Sequence, residues 1–105
     1  MRDYKQFYIN GEWVDPVTPK ELDVINPANE EVCAKISLGS EADVDKAVAA
    51  AKAAFESYSR TSRQERIELL ESCVETYKKY YADIADAIRE EMGAPQQLAM
   101  TAQAY

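Results

Sequence analysis

The chain has 105 residues, enough for one small domain with a modest core. Its net charge of −7 leaves no broad basic face, so nucleic acid and anionic membrane are poor partners. It contains no histidine, which removes the commonest general base and the commonest metal ligand together.

Mean hydropathy is −0.47, and no apolar run approaches the ~20 residues that span a bilayer. Residues 1–7 are polar and mixed in charge, without the apolar stretch of a secretory signal. A cytoplasmic, reducing setting is therefore expected. Cys33 and Cys73, far apart in sequence, read as unpaired thiols there.

In chain order, the first elements are strands. Phe7, Tyr8 and Ile9 and then Glu12, Trp13 and Val14 flank Asn10-Gly11, the preferred two-residue hairpin turn, because both turn residues tolerate positive φ. Pro16 and Pro19 interrupt the ladder. A second hairpin is expected over residues 22–38, where Val32, Ala34, Ile36 and Leu38 alternate with their neighbours. Its turn contains Asn26-Pro27 and Asn29, a residue able to take the left-handed conformation.

From Ser40 the period becomes helical. Ser40 is an N-cap with Asp43 at the third helical position, and Val44, Ala47, Val48, Ala51, Phe55 and Tyr58 share one stripe. A capping box, Ser62 with Glu65, starts the next helix. Ile67, Leu70, Val74, Tyr77, Tyr81, Ile84 and Ile88 then recur at spacings of three and four. The pattern fits one long helix or two joined near residues 80–82. Gly93 ends it as a left-handed cap, with Pro95 just beyond. The expected helices cover residues 41–57, 62–80, 82–92 and 95–105. The fold class is thus α+β: two N-terminal hairpins followed by three or four helices. No repeat, linker or second domain is signalled, so residues 1–105 read as a single segment.

The chemistry-bearing residues are sparse. Neither cysteine has a histidine or a glycine-rich turn beside it, so neither reads as an activated nucleophile. The carboxylates Glu30, Glu31, Asp83, Asp86, Glu90 and Glu91 fall on a turn and on solvated helix faces, which does not make the cleft that acid–base catalysis needs. Gly11, Gly39 and Gly93 cannot compose a phosphate-binding loop. The stripe from Ile67 to Ile88 reads better as the buried face of a helix in a larger protein than as a coiled coil, since tyrosines occupy two seam positions.

Several stretches carry a resemblance. Residues 7–14 (FYINGEWV) resemble the opening hairpin of the NAD(P)-dependent aldehyde dehydrogenases. Residues 25–32 (INPANEEV) resemble that family's Asn-Pro turn, and residues 43–55 are similar to its first helix. Residues 66–70 and the turn Glu91-Met92-Gly93-Ala94-Pro95 continue the match in register. Where the family often has glycine, this chain has Glu30. Either Glu30 is expected to avoid positive φ or Asn29 takes the left-handed position.

The resemblance implies an enzyme of several hundred residues with a Rossmann-like cofactor domain, of which this is the N-terminal segment, plus a catalytic domain and an oligomerisation arm. It implies NAD or NADP as cofactor, an aldehyde substrate, a cysteine thiolate that attacks the aldehyde carbon, hydride transfer to the nicotinamide, and a glutamate that activates water to release the acid. Those residues lie outside this chain, so the segment is expected to be inactive alone and to depend on the remainder of the enzyme, itself a homo-oligomer. It also implies a structural Na⁺ or K⁺ near the N-terminal segment, with the Ile25 carbonyl and the Glu91 carboxylate at the matching positions. Glu91 stands where the family often has aspartate. The competing expectation is a small non-enzymatic helical module that dimerises through the stripe from Ile67 to Ile88.

Overall fold

A computed structural model describes residues 2–105. The chain is α+β, with short strands first and helices after. It divides into two compact units, one comprising residues 2–24 and 32–60, the other Ile25–Glu31 with Thr61–Tyr105.

In the first unit, β1 (Arg2–Tyr4) pairs in parallel with β5 (Glu31–Ser37), with Arg2 opposite Ala34 and Tyr4 opposite Ile36. The strand order is β1-β5-β4, where β4 is Glu21–Asn26. Hydrogen bonds from Glu30 N to Asn26 O (2.8 Å) and from Leu38 N to Lys20 O (2.7 Å) bracket β4 and β5 as an antiparallel hairpin. The first hairpin, β2 (Phe7–Ile9) with β3 (Glu12–Val14), forms a separate two-stranded sheet. Asn10 (φ 55°) and Gly11 (φ 80°) both lie in the left-handed region that a type I′ turn demands. Tyr8 and Trp13 are direct cross-strand partners, with ring centroids 5.2 Å apart.

Strand β1 is an addition to the two expected hairpins. It is three polar residues long and owes its strand character to a partner about thirty positions away, so no local periodicity marks it. The turn after β4 also differs from expectation. Glu30 itself takes φ 60°, while Asn29 uses its side-chain oxygen to accept from Glu31 N at 3.1 Å. The Asn26 side chain likewise accepts from Ala28 N at 2.9 Å. Both asparagines therefore serve as turn acceptors, and the left-handed residue is a glutamate.

Helix α1 spans Glu41–Tyr58 and starts at the Ser40 capping box. Helix α2 spans Arg63–Met92 and starts at the Ser62 capping box. The break expected near residues 80–82 does not occur, and α2 runs as one helix of 30 residues, about 45 Å long. No glycine or proline stands between Arg63 and Met92, so nothing in the chain interrupts the ladder. Gly93 closes α2 with φ 68°, its N–H donating to Arg89 O at 3.0 Å.

The last expected helix, residues 95–105, is shorter and of mixed type. A single turn, α3 (Gln96–Leu98), passes into a π-helical turn at Ala99–Gln103, closed by Ala104 N to Ala99 O at 2.9 Å. The Thr101 hydroxyl donates to Gln97 O at 2.7 Å, competing with the backbone for a carbonyl that a regular helix would use. Ala85, Ala99 and Ala104 form the core of the second unit, with Tyr81, Ile84, Ile88, Ala94 and Met100 packed around them. The Tyr77 and Tyr81 hydroxyls donate to Ala104 O and Met100 O.

The stripe from Ile67 to Ile88 is thereby divided. Its second half is occupied within the unit, whereas Leu70, Val74 and Tyr77 remain exposed. The run from Leu70 to Tyr77 covers little more than one heptad, fewer than the three to four that a coiled coil requires. The α1 stripe is equally bare, with Phe55 67% exposed.

Candidate functional site

The two positions singled out for a cation, Ile25 and Glu91, both lie in the second unit. Each precedes a turn by two residues: Ile25 the turn at Pro27, Glu91 the turn at Gly93. Those turns meet. A Cβ placed on Gly93 would stand 2.9 Å from Pro27 Cγ, so only a residue without one allows this approach. Glu91 is exposed and sits at the C-terminal end of α2, the negative end of the helix dipole. A backbone carbonyl, a carboxylate and a helix C-terminus together suit a hard cation of low charge. Among the described residues no group of three or more His, Cys, Asp or Glu side chains is placed to hold a metal ion.

The other candidates stay apart from any assembled chemistry. The Cys33 thiol is half-buried and donates to Val24 O at 3.4 Å, across the hairpin. Cys73 is exposed on α2. Both are free thiols. Asp86 pairs with Arg89 at 3.6 Å on the surface of α2, a contact of the kind that contributes little.

One residue does more than its position suggested. Asp43 caps α1 as expected, yet it is also 4% exposed and binds the upstream loop. Its Oδ1 accepts from Val17 N at 2.9 Å, while Oδ2 accepts from Ser40 N and Ser40 Oγ, both at 2.8 Å. The loop that Pro16 and Pro19 exclude from the sheet is thus tied to the start of α1. The only sequence signal was the capping box itself; the partner 26 residues upstream leaves no mark.

The Ser40 N–H, then the Val17 N–H and the Ser40 hydroxyl, hold the Asp43 carboxyl below its ordinary value of 3.8. The Ser62 N–H, at 2.6 Å, and then the Ser62 side chain hold Glu65 below its ordinary 4.5. A carboxyl depressed in the folded state stabilises that state above its unfolded pKa and ceases to do so as pH falls through the folded value. Both helix starts should therefore hold at neutral pH and loosen below roughly pH 4. Far-UV circular dichroism from pH 7 downwards should show helix loss in that range. Asp43→Asn, which puts an amide against at least one donor, should lower helicity at pH 7 and flatten the acid transition. An acid profile identical to that of the parent chain would contradict this role.

Comparison with known proteins completes the picture. A sequence model described as "Aldehyde dehydrogenase family" matches residues 13–104. A 3-succinoylsemialdehyde-pyridine dehydrogenase from a Pseudomonas species is 52% identical, over 99% of this chain and 22% of its own length. The crystal structure of an aldehyde dehydrogenase from Bartonella henselae superposes with a TM-score of 0.97 at 50% identity, again over 99% of this chain and 22% of that one. An aldehyde dehydrogenase C variant from Pseudomonas syringae, solved in complex with NAD⁺ and octanal, gives a TM-score of 0.92 at 43% identity, over 95% of this chain and 21% of that one. The chain spans about a fifth of the length of the relatives it matches.

Proposed function

The chain belongs to the aldehyde dehydrogenase family, and from that premise we propose that residues 1–105 are the N-terminal segment of an NAD(P)⁺-dependent enzyme that oxidises an aldehyde to a carboxylic acid. The observation that supports this most is the superposition at TM-score 0.97 on about a fifth of an aldehyde dehydrogenase. In this reading the segment belongs to the cofactor domain. The bound nicotinamide would accept the hydride, and the catalytic cysteine, the water-activating glutamate and the dinucleotide site come from elsewhere in the enzyme. The segment contributes structure. Its exposed faces on α1 and α2, including Val44, Val48, Phe55, Leu70 and Val74, are the surfaces that the remainder of the enzyme would cover.

The test is turnover by the intact enzyme carrying this segment. It should form NADH or NADPH when given an aldehyde, and a catalytic cysteine outside residues 1–105 should be required. An intact protein that reduces neither cofactor with any of a broad aldehyde panel would overturn the reading.

The same enzyme would hold a Na⁺ or K⁺ through the Ile25 carbonyl and the Glu91 carboxylate, with further oxygens from outside the segment. What supports this is the contact that brings the Pro27 and Gly93 turns together. Replacing Na⁺ and K⁺ by a bulky organic cation at constant ionic strength should lower the melting temperature of the intact enzyme. Glu91→Gln should remove most of that difference. A melting temperature indifferent to the cation, in parent and variant alike, would refute the site.

A further inference from the structure

We draw no further inference here: the strongest candidate, the open aromatic recess of about 480 Å³ in the first unit, lined by Tyr4 and Trp13 with Asp3, Lys5 and Gln6, carries none because nothing in the structure shows what covers it.

Discussion

The isolated 105-residue chain is expected to self-associate in light scattering, with an average mass at micromolar concentration at least about twice that of a monomer, because its bare apolar faces seek cover. The buried apolar residues among those described are small: Ala34, Ala85, Ala99 and Ala104. Many of the large apolar side chains are exposed. Phe55 is 67% exposed, Leu70 65% and Val74 53%. Covering a half-exposed side chain of this size recovers about 1 kcal/mol, and several on one face together begin to offset the cost of association. Phe55→Glu with Leu70→Glu should shift the scattering toward monomer, since each replacement puts a charge where a partner would have to desolvate it. The helices should survive these changes, because neither residue belongs to the alanine core. A compact monomer with a cooperative melt in the parent chain would contradict this account of the faces.

Gly93→Ala is expected to destabilise the second unit by about 2–4 kcal/mol, the sum of a left-handed backbone cost and an overpacking cost. Two observations combine at this position. The backbone has φ 68°, and the added Cβ would lie 2.9 Å from Pro27 Cγ, a ring atom with little freedom to retreat. Glu30→Gly is the opposite case. Its φ of 60° holds a side chain where glycine is at ease, so the replacement should stabilise. Part of that gain is returned to the greater freedom of glycine in the unfolded chain, leaving a net of about 0.5–1 kcal/mol. Urea titrations of the two variants should displace the midpoint in opposite directions. Equal midpoints would mean that neither turn is built as described.

Much of this architecture was legible in the residues, for reasons that can be named. The hairpin at Asn10-Gly11, the caps at Ser40 and Ser62 and the stop at Gly93 are local: each depends on one or two side chains within four positions. The features that escaped are those set at a distance or by small competing preferences. β1 exists because β5 pairs with it, and Asp43 reaches Val17 through a loop whose path the sequence does not reveal. The continuity of α2 is open in the sequence because a stripe at spacings of three and four fits one long helix and two shorter ones equally well. At the turn of residues 26–31 the error was one of assignment. Asparagine tolerates the left-handed region better than glutamate does, but both asparagines were needed as acceptors. The candidate site was legible only through the family resemblance, since a backbone carbonyl at Ile25 has no signature in a sequence.

We propose that this segment supplies structure to an aldehyde-oxidising enzyme and none of its chemistry. Absorbance of reduced nicotinamide at its near-ultraviolet maximum, followed while the pure chain is mixed with NAD⁺ or NADP⁺ and an aldehyde, tests that claim most directly. The account predicts no aldehyde-dependent rise above the enzyme-free rate. Sustained turnover by the pure chain, abolished by Cys33→Ser or Cys73→Ser, would contradict it.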